Sequence, residues 1–319
     1  MTTQARLDVI SRAGNNMYDI IIIGGGMAGM TACLYAQRAG KSTLLIESTS
    51  IGGQIALSPK VENYPTYKEI TGEKLSEETF EQITKLGTDF ELDNISHIEK
   101  NGNIFTVTGE FGSYEAYSVI IANGVKHRKL NLENEEKFIG HGLYYCAICD
   151  GPFYKDKEVT LIGDGNTALQ YALMLSGICS KVNLVIMFDK FFGDRSLVDL
   201  VESRDNVNII RNSKTVKLLG ESELTGIVFE KKDKSTFTIK DTPLFVAIGQ
   251  LPDNQKFANV ADIDKFGYFI SDENCKTKTE GLFVAGDTRT KSVRQVTTAM
   301  CDGAVASTNA CAYLQSLNK

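Results

Sequence analysis

A chain of 319 residues, 42% hydrophobic and 23% charged with a formal net charge of −6, is long enough to bury one large core or about two domains. The acidic balance argues against nucleic acid as the main partner, because phosphate binding calls for a basic face. Its longest apolar runs, such as Leu184 to Phe188 and Leu244 to Ile248, are strand-sized and far short of a membrane span. Residues 1–16 are polar and mixed, without the basic start and apolar core of a signal peptide, so the sequence is expected to be cytoplasmic, where free cysteines and a reactive dithiol are at home.

In chain order, Tyr18-Asp19-Ile20-Ile21-Ile22-Ile23 reads as a buried parallel strand. It runs into Gly24-Gly25-Gly26-Met27-Ala28-Gly29, where Gly24, Gly26 and Gly29 supply the tight turn, the close approach to a pyrophosphate and the helix-to-sheet contact of a dinucleotide fold. A helix is expected to Arg38, with Gly40 ending it and Ser42 to Glu47 as the second strand. Glu47 lies close to the spacing expected of the acid that holds a ribose hydroxyl. Gly52-Gly53-Gln54 and Glu62-Asn63-Tyr64-Pro65 follow as polar turns suited to lining a flat ring system.

Mid-chain stands Tyr145-Cys146-Ala147-Ile148-Cys149-Asp150-Gly151. Two thiols at this spacing can close a small ring disulfide, and Asp150 is placed to exchange a proton with whichever sulfur is released. Zinc would need about four ligands, and the chain offers this pair with only His97, His127 and His141. Cys33, Cys179, Cys275, Cys301 and Cys311 are scattered singly and are expected to be packed as small hydrophobes. Tyr144 and Tyr145 either stack on a flavin or shield the sulfurs from water.

A second unit of the same plan follows: Glu158 to Ile162 as a strand, Gly163-Asp164-Gly165-Asn166-Thr167-Ala168 as the turn, Ala168 to Leu175 as a helix and Val182 to Ile186 as the returning strand. Glu230-Lys231-Lys232-Asp233-Lys234 is expected to be a solvated hairpin turn. Near the C-terminus a short apolar strand ends in Gly286-Asp287, a placement that suits an aspartate holding the sugar-alcohol chain of a flavin, and Arg294-Gln295 open a helix from Val296 onward. FAD is therefore the expected cofactor. The expected fold is α/β, two Rossmann-like, doubly wound nucleotide-binding domains with the second inserted into the first: residues 1–123 and 248–319 for FAD, and 124–247 carrying the dithiol.

From Tyr18 to the C-terminus the sequence resembles the low-molecular-weight flavoprotein thioredoxin reductases. The first glycine turn, Gly52-Gly53-Gln54, Glu62-Asn63-Tyr64-Pro65, Cys146-Ala147-Ile148-Cys149-Asp150, Gly286-Asp287, Arg294-Gln295 and Asp302-Gly303 carry the likeness. The resemblance implies FAD, a homodimer, thioredoxin as substrate and an inserted domain that swivels. In that scheme Cys149 faces the flavin, Cys146 exchanges with the substrate disulfide and Asp150 handles the proton. One departure stands out. Where NADPH-using members carry a histidine and two arginines for the 2′-phosphate, this chain has Ile186-Met187-Phe188-Asp189-Lys190. The guanidinium fork that best pairs a phosphate is missing, and Asp189 repels one by about 1 kcal/mol at 4 Å in water. Three donors compete: NADPH, NADH with Asp189 on its ribose, and ferredoxin. The pattern is similar to the ferredoxin-dependent flavin thioredoxin reductases, so ferredoxin is the expected donor. A non-catalytic flavin- or nucleotide-binding redox sensor is the alternative of another class.

Overall fold

The computed structural model describes residues 17–58 and 61–319, so the expectation for residues 1–16 lies outside the described residues. The chain divides into two compact units. Among the described residues the first takes 17–58, Tyr64–Lys126 and Pro252–Lys319; the second takes His127–Leu251 with the short stretch 61–63.

The first unit is built on a seven-stranded sheet. Its strands are β1 (Met17–Ile23), β2 (Thr43–Glu47), β3 (Asp89–Leu92), β4 (His97–Asn101), β5 (Ile104–Thr108), β6 (Ser113–Ile121) and β17 (Leu282–Val284). Helix α1 (Met27–Arg38) crosses from β1 to β2, α2 (Gly72–Lys85) precedes β3, and α7 (Val296–Ser316) closes the unit. The order is β3-β2-β1-β6-β5-β4, with β17 paired to β6. The β3, β2, β1, β6 and β17 pairings are parallel, whereas β4, β5 and the first half of β6 pair antiparallel.

The burial of β6 follows from that change of partner. Ser113 to Ala116, opposite β5, alternate exposed and buried, while Ser118 to Ile121, between β1 and β17, are buried without interruption. A sheet region covered on both faces demands a continuous apolar run; one face in water demands alternation. Ile20 to Ile23 of β1 are buried throughout for the same reason. The core beneath the sheet gathers Ile21, Leu44, Phe105, Val119, Phe257 and Phe269.

The second unit repeats the plan. A parallel sheet runs β11-β10-β9-β15-β8, from β8 (Leu143–Tyr144), β9 (Glu158–Ile162), β10 (Lys181–Val185), β11 (Val207–Ile210) and β15 (Leu244–Val246). Between β9 and β10 runs α5 (Asn166–Ser176), with α6 (Arg195–Glu202) before β11. Two short helices, α3 (Glu135–Phe138) and α4 (Ala147–Asp150), flank β8. An antiparallel ribbon of β12 (Ser213–Leu219), β13 (Gly226–Lys231) and β14 (Thr236–Lys240) lies apart from the main sheet. The charge run from Glu230 turns β13 into β14, as expected. A two-stranded pair joins β7 (Lys126–His127) to β16 (Gln250–Leu251). The fold is α/β with two Rossmann-like sheets. Among the described residues no helix is long and apolar enough to cross a membrane.

Candidate active site

The first glycine turn is shaped by steric necessity. Gly24 has φ of 111°, and a Cβ there would overlap the carbonyl of Ala122 at the end of β6, so only glycine fits. Gly26 caps α1 with extended backbone, and the nearest atom to a Cβ built on it is the Gly52 carbonyl oxygen at 3.9 Å. The slot in front of the α1 N-terminus is therefore open, as a pyrophosphate requires. Gly29 closes the turn beneath, where a Cβ would overlap the Gly24 carbonyl oxygen.

Glu47 ends β2 and is 9% exposed. Its Oε2 accepts the Gly25 N–H at 2.7 Å, and its Oε1 accepts the Thr49 N–H at 2.9 Å. Oε1 also accepts the Thr49 and Ser48 hydroxyls, so the carboxylate ties the turn to the returning strand and keeps its spare acceptor capacity on Oε2 for a sugar hydroxyl. Gly53 and Gln54 follow in a short 3-10 turn (Gly53–Leu57), where the Gln54 amide donates to the Val125 carbonyl at 3.2 Å. Asn63 is exposed and falls in the short stretch that groups with the second unit.

Asp287 supplies the clearest sign of an absent partner. Its Oδ1 is buried with no hydrogen-bond partner, and burial raises its pKa above the ordinary value. A buried carboxylate oxygen left without a donor is costly, and a polyol hydroxyl is the kind of donor it lacks. Asp302 holds the loop that presents it. The Asp302 Oδ2 accepts the Gly286 N–H at 3.0 Å, Arg289 Nε at 2.8 Å and Lys291 Nζ at 2.8 Å, and Oδ1 accepts Arg289 Nη2 at 2.8 Å. Burial would push the Asp302 carboxyl up, but these cations hold it below its ordinary value. Arg294 lies over the Tyr268 ring at 4.2 Å and donates to the carbonyls of Asp287, Arg289 and Lys291. Gln295 caps α7 reciprocally with Thr298.

Arg289 and Lys291, which hold Asp302 and through it the Gly286-Asp287 loop, are residues that the sequence reading passed over. Their only signal is the alternation of two cations after Gly286-Asp287 with an acid eleven residues beyond Lys291. Cys301 departs from expectation: Cys33, Cys179, Cys275 and Cys311 are buried, but Cys301 is exposed, because α7 turns residues 302, 303, 306, 307 and 310 to the core and leaves 301 outside that stripe.

In the second unit Cys146 and Cys149 form a disulfide with Cα atoms 5.3 Å apart. Cys146 caps α4, and its Sγ accepts the Cys149 N–H at 3.2 Å. Asp150 closes that short helix, buried to 5% exposure, with Oδ1 lacking a hydrogen-bond partner. Burial pushes its pKa up to about 7, so near neutrality the group is poised between acid and base. Tyr144 donates no bond to the dithiol; it packs with Tyr154 and Phe245.

The second glycine turn is arranged differently. Ile186 is buried, but Met187, Phe188 and Phe192 are 53%, 44% and 60% exposed, with Phe188 and Phe192 edge to face at 5.1 Å. The following chain folds back on the turn: the Phe192 N–H donates to the Asp164 carbonyl at 2.7 Å, and the Asp194 N–H to Asn166 Oδ1 at 2.7 Å. Nearby guanidinium groups are engaged, Arg195 with Asp199 and Arg211 with Glu202. Burial raises the Asp164 carboxyl.

Residues 18–303 match the family model described as pyridine nucleotide-disulphide oxidoreductase. A thioredoxin reductase of Listeria monocytogenes is 36% identical over 305 residues, covering 95% of this chain and 96% of that one. A 34.2 kDa protein in a rubredoxin operon of Clostridium pasteurianum is also 36% identical, covering 93% and 97%. The solved thioredoxin reductase of Streptococcus pyogenes superposes with a TM-score of 0.90 at 34% identity, covering 95% of this chain and all of that one. The chain therefore belongs to the thioredoxin reductases of the pyridine nucleotide-disulphide oxidoreductase family, flavin-dependent disulfide oxidoreductases whose cofactor is FAD.

Proposed function

We propose that this chain reduces the disulfide of thioredoxin through Cys146 and Cys149, with ferredoxin in place of NADPH as electron donor. The observation that carries the reductase reading is a disulfide whose adjacent carboxyl, Asp150, is buried and held near neutrality. Residues 1–123 and 248–319 form the FAD-binding domain and 124–247 the inserted domain, in a cytoplasmic homodimer. Gly24, Gly26 and Gly29 receive the pyrophosphate, Glu47 a ribose hydroxyl and Asp287 the polyol chain. Gly53, Gln54, Asn63, Gly286, Arg294 and Gln295 complete the cofactor site. Bound at these residues, FAD would supply the electron pair that opens the Cys146–Cys149 bond.

In the reduced dithiol, the Cys146 thiolate attacks one sulfur of the thioredoxin disulfide. That bond breaks, and the departing sulfur takes the Asp150 proton. Asp150 then removes the proton from Cys149, whose thiolate attacks Cys146 Sγ. The Cys146–Cys149 bond re-forms, and the second thioredoxin sulfur leaves with the same proton. The substrate gains two electrons and two protons; the dithiol gives up both electrons and the Cys149 proton, while Asp150 gives the other proton, ends ionised and is reprotonated from water before the next cycle.

For the donor, the support is the apolar and acidic corner after β10. Met187, Phe188 and Asp189 offer no fork to a 2′-phosphate, and the two nearby arginines are already paired. NADPH remains the second reading, favoured by the intact strand, glycine turn and helix of the second unit. Anaerobic mixing of the oxidised holoprotein with reduced ferredoxin, NADH or NADPH tests the donor: ferredoxin is expected to bleach the flavin, and rapid bleaching by NADPH overturns that assignment. Cys149→Ser is expected to abolish thioredoxin reduction with any donor; full activity would remove the dithiol from the reaction.

A further inference from the structure

The peptide that carries Cys146 is held by a group of side chains that the chemistry above does not use. Tyr145 immediately precedes Cys146. Its hydroxyl donates to Glu135 Oε1 at 2.6 Å, and its ring is stacked on His127 with centroids 4.9 Å apart and planes 15° from parallel. Glu135 is only 3% exposed. The same Oε1 accepts the Leu130 N–H at 2.8 Å, and Oε2 the Leu132 N–H at 3.4 Å. A buried carboxylate is tolerable only when its oxygens are satisfied, and Tyr145 is the sole side-chain donor among those contacts. Burial lowers the His127 imidazole to about 4, so the stacked ring is neutral across the working range. His127 is the first residue of the second unit after the chain enters it from Lys126.

We propose that Tyr145 is a positioning residue for Cys146: Glu135 and His127 fix the entering peptide so that the Cys149 N–H stays aimed at Cys146 Sγ when the disulfide opens. The Tyr145 backbone is continuous with the N-cap of α4, and that N-cap sulfur depends on a single N–H. A thiolate is stabilised by such a donor, and an entry free to rotate loses the alignment, raising the thiol pKa and lowering the thiolate fraction near neutrality. This rests on the reading of Cys146 as the sulfur that exchanges with substrate.

The test is alkylation of the dithiothreitol-reduced full-length holoprotein by iodoacetamide near neutral pH, followed by peptide mapping. Cys301, exposed and in the first unit, serves as the internal reference. Tyr145→Phe and Glu135→Ala are expected to lower the Cys146-to-Cys301 rate ratio about fivefold, a fraction of one charge-assisted hydrogen bond. Glu135→Gln keeps an oxygen where Oε1 now accepts, so its ratio is expected to stay within about twofold of the parent chain. His127→Phe is expected to keep the parent ratio and His127→Ala to lose it. A Glu135 with only a structural role would lower the melting midpoint in Glu135→Ala without moving the ratio. A parent-like ratio in folded Tyr145→Phe overturns the proposal. Should that variant not fold, equal ratios in His127→Ala and His127→Phe overturn it instead. The readout uses neither thioredoxin nor an electron donor, so failure of the reductase reading shows separately, as absent turnover in the parent chain.

Discussion

In the first glycine turn the strand returning from the helix, β2, ends in Glu47, whose carboxylate reaches back to the Gly25 N–H. In the second, β10 is followed by Ile186, Met187 and Phe188, and the chain from Phe192 to Asp194 bonds onto the turn itself. One architecture thus serves two ends. The first unit keeps its helix N-terminus open and lines it with groups that want a ligand, including the orphaned Asp287 Oδ1. The second, whose helix N-terminus is equally open at Gly165, carries its orphaned acid, Asp150, beside the dithiol. The lesson is that a Rossmann-like unit signals a place for a nucleotide, while the residues at its rim decide the use of that place.

The largest expected effect sharpens the second half of this contrast. Asp150→Asn removes the proton carrier while keeping the shape, and steady-state thioredoxin reduction is expected to fall about 10³-fold. The same substitution has a signature in stability. In the folded chain Asp150 keeps its proton up to about pH 7, while in the unfolded chain it loses it near 4. Between those values the folded state binds the extra proton, so stability from this group is full below about pH 4 and is lost as pH rises through about 7. Denaturant melts at several pH values should show a flatter profile for Asp150→Asn, with its relative gain on the alkaline side.

The next effect separates the two turns directly. Gly26 and Gly165 cap corresponding helices with extended backbone, and each has room for a Cβ. Gly26→Ala is expected to weaken FAD binding about 10²-fold, by displacing two charge-assisted hydrogen bonds, with little loss of fold. Gly165→Ala is expected to leave FAD content and turnover unchanged. Flavin content after dialysis and a thermal melt measure both; a large loss of turnover with NADPH in Gly165→Ala would mean that the second turn still binds a nucleotide.

The smallest effect tries to undo the difference. Phe188→Arg with Asp189→Arg restores a fork at the corner after β10, and NADPH affinity measured calorimetrically is expected to rise about tenfold. A parent chain that already binds NADPH as tightly would contradict the missing-grip argument.

Much of the fold was legible because burial on both faces writes itself as apolar runs, uninterrupted in Ile20 to Ile23 and broken only by the buried Thr160 in Val159 to Ile162. Gly24 was legible too, since a left-handed turn against the Ala122 carbonyl admits no other residue. Asp287 and Asp150 could be named from their places after a strand and after a dithiol. What the sequence did not carry was contact chemistry inside loops. Nothing periodic announces that Arg289 and Lys291 fold inward onto Asp302, or that Glu135 closes over Tyr145 across a ten-residue separation. Cys301 was misjudged although helical phase, applied from Asp302 to Ala310, places it outside the buried stripe.

The central claim is that electrons pass between bound FAD and the Cys146–Cys149 bond. Anaerobic reductive titration of the holoprotein, with thiols mapped at each stage, tests it most directly. The account predicts uptake of twice the reducing equivalents that the flavin alone accepts, with new thiols at Cys146 and Cys149. Uptake that stops at the flavin, with that disulfide intact, would contradict it.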